Sequence, residues 1–232
     1  MFRPGPVSTL TLSALLCGAA LLCSARALAA PSNAKPDWRE TVRMLAYTHF
    51  KQPAWGYSHC VRDYSLAKAL ASADGVTLDD DVLYAAAYLH DMAAFAPWEK
   101  AGVDHADAAA ASVSTVLRGT GFPMDKIAAV QSAIRTHMYD RDPQSPEALY
   151  LHDADALDWL GAVGVARILA LIDPKGGKPS GPEAVAMLEE NLAKVPSRVR
   201  SPAGRLRVGP RQEELAGFLR ALRAETDGLK TL

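Results

Sequence analysis

Apolar residues recur at helical spacing through almost the whole of residues 37–226. Ile127, Val130 and Ile134, for example, fall on one face of their segment. No run of alternating apolar and polar residues is long enough to predict a strand. The pattern therefore predicts an all-α fold. We expect seven to eight helices, with approximate bounds of 37–50, 56–71, 80–94, 104–118, 123–138, 147–172, 183–193 and 212–226.

The amino-terminal segment has the composition of a secretory signal peptide. Arg3 precedes an apolar stretch from about Leu10 to Leu22, and small residues follow at Ala27 and Ala29. The apolar stretch is shorter than the ~20 residues that a membrane span needs. We therefore expect cleavage after Ala29 and an exported, periplasmic or secreted, protein with no membrane association; a retained anchor is the alternative.

The remaining chain has the length of one domain. We expect a signal peptide over residues 1–29, a flexible leader over 30–36, the domain over 37–227 and a tail over 228–232. The whole chain has 25 basic and 26 acidic residues. Loss of two arginines with the signal peptide leaves 23 basic against 26 acidic residues, a net charge of about minus three. No basic-aromatic pattern indicates a specific nucleic-acid surface. Cys60 alone would remain, which excludes an internal disulfide.

Histidines and aspartates are distributed over separate predicted helices. A buried histidine taken alone is more often a hydrogen-bonded core residue than a metal ligand. Here, however, several helices each offer an imidazole or a carboxylate, which is typical of metal sites in the core of helical bundles. Nitrogen and oxygen donors without thiolates favour Mn, Fe, Co, Ni or Zn, with Mg as a further candidate, in one or two ions. The residues concerned are His59, His90, Asp91, His105, His137 and the aspartates of DADALD, residues 153–158.

The order of these residues resembles the HD-domain superfamily of metal-dependent phosphohydrolases, in particular small bacterial HD hydrolases. The matching motifs are SHCVRD around His59, YLHDMA around His90 and Asp91, and DADALDWLGAVGVARIL, and the resemblance covers about residues 37–226. It implies a single HD-domain helical bundle around a buried metal site. His59, His90, Asp91 and one aspartate of residues 153–158 would hold a divalent ion, with His90 and Asp91 at the catalytic centre.

Helical periodicity alone leaves the last ligand open between Asp153 and Asp155, because both lie in phase with apolar residues. The family pattern selects Asp155, since the family ligand comes three residues before a second aspartate. Family members frequently carry a basic residue directly after the ligand. Ala156 occupies that position here, so a substrate-facing cation is absent from it.

The resemblance also suggests roles for two further histidines. His105 and His137 match positions that hold a second ion in two-metal members of the superfamily, with Asp91 bridging the ions; the alternative is that they contact phosphate oxygens. Arg62, one helical turn after His59, and Arg167 are candidates for binding the substrate phosphate. Ordinary surface or ion-paired arginines are the alternative for both.

The function implied by the resemblance is hydrolysis of a small phosphoester or nucleotide by metal-activated water. The expected partner is thus a small phosphorylated substrate. Two other functions remain open at this point. One is an HD-type di-iron oxygenase, which would use the same ligands, and the other is a non-catalytic metal-binding helical sensor module.

Overall fold

The computed structural model describes residues 37–232, and all regular structure in that range is helical, as predicted. The predicted signal peptide and leader lie outside the described residues. None of the described helices combines the length and the apolar character required to cross a membrane. The nine α-helices of the described range are α1 (Trp38–His49), α2 (Tyr57–Ala73), α3 (Asp80–Leu89), α4 (His105–Leu117), α5 (Ile127–Arg135), α6 (Pro146–Asp158), α7 (Gly161–Leu169), α8 (Gly181–Lys194) and α9 (Pro202–Glu225). Three short 3₁₀ helices cover Met92–Ala94, Met124–Lys126 and Pro196–Arg198.

Two helices form the centre of the bundle. Every residue of α3 from Val82 to Leu89 is buried, and so is every residue of α6 from Tyr150 to Asp158. α3 packs against α1, α2, α5 and α6, and α6 packs most extensively against α2. The buried part of α6 includes four ionisable residues, His152, Asp153, Asp155 and Asp158. Because a buried charge is costly without a partner, each of these groups needs a hydrogen-bond donor, a counter-charge or a metal ion.

A corner follows α6 where the sequence predicted one continuous helix over residues 147–172. That prediction is wrong, since α6 ends at Asp158 and α7 begins at Gly161. Gly161 has a φ of +66°, in the left-handed region that glycine adopts without steric cost. A Cβ on Gly164 would lie 2.2 Å from the carbonyl oxygen of Trp159, so only glycine allows α7 to start this close to the end of α6. The corner turns α7 back toward Asp158.

Two other helix bounds differ from the predicted ones. The third helix was expected to reach about residue 94 but ends at Leu89, and Asp91 has φ −97° and ψ 9° before the 3₁₀ turn begins. The last helix was expected from residue 212 but begins at Pro202 and includes Pro210. Proline and glycine lower the helix propensity of its first half. Ser201 nevertheless caps the first turn of α9, and the apolar side of α9 is buried in the core.

Candidate metal centre

Three buried histidines turn their Nε2 atoms toward one region of the core. The Nδ1 atom of each is already engaged: that of His59 lies 2.9 Å from Asp158 Oδ2, and those of His90 and His137 lie 2.9 and 2.6 Å from the carbonyl oxygen three residues earlier. An acceptor at Nδ1 leaves the lone pair on Nε2, which is the arrangement found in metal-ligating histidines. The local structure thus prepares three Nε2 atoms as metal ligands.

The four residues expected to hold the first ion lie together. His59 Nε2 is 3.1 Å from His90 Nε2 and 3.3 Å from Asp155 Oδ1. Asp91 Oδ2 is 3.3 Å from His90 Nε2 and 3.6 Å from His59 Nε2. Ligands about 2.1 Å from one ion lie roughly 3.0 Å apart at right angles and roughly 3.4 Å apart in a tetrahedron. The donor atoms are therefore spaced as the ligands of a single ion would be, and we call this group the first centre.

The end of α3 explains how adjacent residues reach the same point. Neighbours within a helix diverge by about 100°, so His90 and Asp91 would not converge if the helix continued. His90 still has helical φ and ψ, but the backbone leaves the helix at Asp91. His90 Nε2 and Asp91 Oδ2 come within 3.3 Å of each other as a result.

The other oxygen of Asp91 faces a second pair of histidines. Asp91 Oδ1 lies 3.3 Å from His105 Nε2 and 3.5 Å from His137 Nε2. His105 occupies the first turn of α4, which begins there because the Asp104 side chain accepts hydrogen bonds from the backbone N–H groups that open the helix. Each carboxylate oxygen of Asp91 therefore serves a different pair of imidazoles, as a carboxylate that bridges two ions would. We call His105, His137 and Asp91 the second centre.

The imidazoles set the charge state of this bridging carboxylate. Burial acts to raise the pKa of Asp91, but His90, His105 and His137 together hold that pKa well below its usual range. The hydrogen bond with Asp91 in turn raises the pKa of His105. Asp91 is thus a carboxylate in the folded protein, which is the form that binds a metal ion.

Asp155 and Asp153, which periodicity could not separate, have different surroundings. Asp155 belongs to the first centre, where His59 lowers its pKa against the effect of burial. Asp153 accepts hydrogen bonds from the backbone N–H groups of Arg200 at 2.9 Å and Ser201 at 2.6 Å. Asp153 therefore holds the segment that leads into α9, and Asp155 is the aspartate placed for metal binding.

Sequence reasoning missed Asp63, which lies one turn after His59 on the same face of α2. Its side chain is completely buried, and Oδ2 lies 3.1 Å from His59 Nε2 and 3.8 Å from His90 Nε2. Burial, and then the charges of Asp158 and Asp155, raise the pKa of Asp63 well above its usual range. The i, i+4 spacing from His59 was the signal that could have revealed it.

Arg62 and Arg167 both bind Asp158, and Arg167 also reaches the first centre, where its Nη2 lies 3.4 Å from His59 Nε2. Arg62 Nη2 and Arg167 Nη1 lie 2.8 and 3.1 Å from Asp158 Oδ2. Arg167 also donates to a backbone carbonyl oxygen of the segment before α2, and its guanidinium lies 3.6 Å from the ring centroid of Trp159. Two guanidiniums and His59 thus fix one carboxylate, and this explains the need for an aspartate at position 158.

A cleft of about 310 Å³ gives access to both centres. Its lining includes three of the candidate ligands and four apolar residues, and neither Arg62 nor Arg167 is among the described residues that line it. Cys60 is buried, and burial raises the pKa of its thiol, so it is not a nucleophile. The lining residues are Trp55, Asp91, Ala94, His105, Met138, Asp155 and Trp159.

Comparison with known proteins agrees with this arrangement. Residues 56–160 match the sequence model of the HD domain. Among curated proteins, none matches the chain. A solved structure from an uncultured Thermotogales bacterium, described as an HD superfamily hydrolase, is 28% identical, with 82% of this chain and 93% of that one covered and a TM-score of 0.57.

Two further solved structures show the same fold at lower identity. YpgQ from Bacillus subtilis, in complex with ADP, is 21% identical, with 83% of this chain and 100% of that one covered and a TM-score of 0.63. An HD-superfamily hydrolase from Bacillus thuringiensis is 23% identical, with 74% and 86% covered and a TM-score of 0.53. The chain is therefore similar to the HD domain in sequence over residues 56–160, and similar in fold to HD-superfamily hydrolases over most of its length.

Proposed function

We propose that this protein is a metal-dependent phosphohydrolase that cleaves a small phosphoester or nucleotide. The HD-domain match and the hydrolase neighbours support a metal-dependent hydrolase in general. The observation that carries the proposal is the placement of Asp91, whose two oxygens face two different histidine pairs beside a cleft.

The residues present fit one or two divalent ions. The donors are imidazole nitrogens and carboxylate oxygens, with His59, His90, Asp91 and Asp155 for the first ion and Asp91, His105 and His137 for the second. A bound divalent ion lowers the pKa of a coordinated water toward ~7 and neutralises the charge of a phosphoryl group. Asp158 holds the His59 ring in register, and Arg62 and Arg167 hold Asp158 in turn, so we assign these arginines a positioning role rather than direct contact with phosphate.

The cleft supports a small substrate with an apolar portion. No Lys or Arg occurs among the described residues that line it, so bound metal ions would have to neutralise the phosphate. Trp55 and Trp159 offer two indole rings to the rest of the substrate. The Bacillus subtilis neighbour was solved with ADP, which adds nucleotides to the substrates to be tested.

Metal analysis combined with a hydrolysis screen tests the proposal. The purified protein would be assayed against phosphomonoesters, diesters and nucleotides with Mn²⁺, Co²⁺, Ni²⁺, Zn²⁺ or Mg²⁺. We expect metal-dependent phosphate release that chelation abolishes and that the His90→Ala, Asp91→Ala double variant lacks. His49→Ala is the control, because His49 is exposed at the end of α1 and should retain activity. Equal activity of the double variant and the wild type would refute the proposal.

An oxygenase is a second candidate, because two histidine pairs around one carboxylate would also suit two iron ions. Iron content, oxygen consumption and an electron paramagnetic resonance spectrum of the purified protein separate the two functions. Hydrolysis supported equally well by redox-inert Zn²⁺ or Mg²⁺, without oxygen uptake, would exclude the oxygenase.

A further inference from the structure

Asp63 is a buried carboxylate without a hydrogen-bond partner. Its side chain is fully buried, and no N–H or O–H group of the described residues donates to either of its oxygens. Buried carboxylates are otherwise hydrogen-bonded, paired with a cation or bound to a metal ion, because removing them from water is costly. An unpartnered carboxylate at this depth therefore indicates a ligand that the protein itself does not supply.

The surroundings of Asp63 narrow the nature of that ligand. The guanidinium groups of Arg62 and Arg167 are bonded to Asp158, and neither donates to an Asp63 oxygen. Asp63 Oδ2 instead lies 3.1 Å from His59 Nε2 and 3.8 Å from His90 Nε2. Those two nitrogens are first-centre donors. The first distance lies within the roughly 3.0–3.4 Å that separates neighbouring ligands of one ion, and the second is somewhat longer.

We propose that Asp63 is an additional ligand of the first ion, together with His59, His90, Asp91 and Asp155. This inference rests on the metal centre in the proposed function and goes beyond the ligands that the resemblance implies. One donor atom each from His59, Asp63, His90 and Asp155 lies within 4.8 Å of the others, and all four residues are buried. The first centre then carries three carboxylates, and such oxygen-rich sites favour Mn²⁺ or Fe²⁺ over softer ions.

The extra ligand makes the two centres unequal. Five protein ligands leave the first ion at most one open position in an octahedron, whereas the second centre has only Asp91, His105 and His137. A nearly closed site is typical of a structural or tightly held ion, and an open site of a catalytic one. His59, Asp63, His90, Asp91 and Asp155 would therefore hold an ion more tightly than Asp91, His105 and His137 would, and an ion at the second centre would be the more exchangeable of the two.

Cobalt substitution of two Asp63 variants tests this assignment. Asp63→Asn preserves side-chain shape, and Asp63→Val removes the donor. Co²⁺ is titrated into the metal-free wild type, both variants and the control Asp153→Asn, which alters an equally buried aspartate outside both centres. Affinity is measured by competition with a chelator, and coordination number from the visible d–d spectrum. Thermal unfolding without metal is measured in parallel.

We expect the affinity of the tighter site to fall at least about tenfold in both Asp63 variants. The d–d bands should strengthen in Asp63→Val, as they do when cobalt loses a ligand, and the weaker site should keep its affinity. Without metal, Asp63→Asn should lose less stability than Asp153→Asn, since no hydrogen bond of the described residues to the Asp63 carboxylate is broken. Asp153→Asn should show the reverse pattern, with lower stability and unchanged cobalt binding.

The possible failures are distinguishable. If the wild type binds no cobalt, the metal centre and the proposed function both fall. If the wild type binds cobalt and both Asp63 variants bind it with unchanged affinity and spectrum, the metal centre stands and the assignment of Asp63 is refuted. Loss of stability in metal-free Asp63→Asn with unchanged cobalt affinity would likewise show a structural role and overturn the assignment.

Discussion

Asp153 and Asp155 lie two residues apart in α6 and are both buried, yet their replacement by asparagine should have opposite consequences. Asp153 accepts hydrogen bonds from the N–H groups of Arg200 and Ser201, the second at 2.6 Å. A hydrogen bond to a charged group contributes about 1.5–3 kcal/mol. Asparagine keeps one acceptor oxygen but turns an amide NH₂ toward the other backbone donor.

We therefore expect Asp153→Asn to lower the free energy of unfolding by about 2–4 kcal/mol, from one lost charged hydrogen bond and one donor left facing another donor. For a domain of this size that corresponds to a fall in Tm of roughly 4–16 °C. Its metal content should equal that of the wild type, because no Asp153 oxygen faces either centre.

Asp155→Asn should give the other result. Asp155 Oδ1 lies 3.3 Å from His59 Nε2, and no backbone N–H of the described residues donates to its carboxylate. We expect weaker binding of the first ion, without a comparable loss of stability in the metal-free protein. Thermal and urea unfolding of metal-free protein, with metal content measured by mass spectrometry, provide both readouts. Loss of the ion from Asp153→Asn at full stability, with retention in Asp155→Asn, would show that the two assignments are reversed.

Three other substitutions address separate parts of the structure. Asp158 is not a ligand, but it orients the His59 ring, so Asp158→Asn should weaken binding of the first ion by about 10–100-fold. An unchanged affinity in a chelator competition would contradict this. His137→Ala should reduce the number of bound ions from two to one, and metal analysis showing two ions would refute the second centre. Burial acts to raise the pKa of Asp80, but hydrogen bonds, led by that from Arg39, lower it to about 2. Asp80 therefore contributes stability that is present above its unfolded pKa of about 3.9 and is lost as pH falls toward 2. Asp80→Asn should therefore flatten the acid limb of a stability–pH profile.

Helical spacing was sufficient to place His90 on a buried face of its helix. Leu83, Ala86 and His90 share one face of α3 and are all buried, because an apolar stripe at this spacing must face the core. The fold class and the helical location of the candidate ligands were therefore accessible from local sequence.

The partners of the buried polar groups were not accessible in this way. Asp158 contacts Arg62 and His59, which are 96 and 99 residues away in sequence, and no periodicity encodes such a pairing. The corner at Gly161 was missed because a single glycine within an apolar run costs a helix only about 1 kcal/mol and often leaves it intact. That corner places Arg167 beside Asp158, nine residues earlier in the sequence.

The charges in the core show why these networks are linked. Two guanidinium groups are bonded to Asp158, and the positive charge of Arg167 also acts on Asp63 and Asp155. Three other carboxylates, of Asp63, Asp91 and Asp155, lie around the first centre, each with an oxygen 3.1 to 3.6 Å from His59 Nε2. Without a metal ion, protonation of an imidazole or a carboxylate must balance this excess of negative charge.

The raised pKa of His59 favours this imidazole as the carrier of that proton in the metal-free protein. Burial opposes its charge, but the neighbouring carboxylates, Asp63 foremost, raise the pKa of His59 to about 10. The stability contributed by its protonation is therefore fully present below the unfolded pKa of about 6.5 and is lost as pH rises through about 10. A metal ion must displace this proton, so metal affinity should increase between pH 6 and pH 9, with proton release measurable by calorimetry in buffers of different ionisation enthalpy. An affinity independent of pH over that interval would mean that His59 is not a metal ligand.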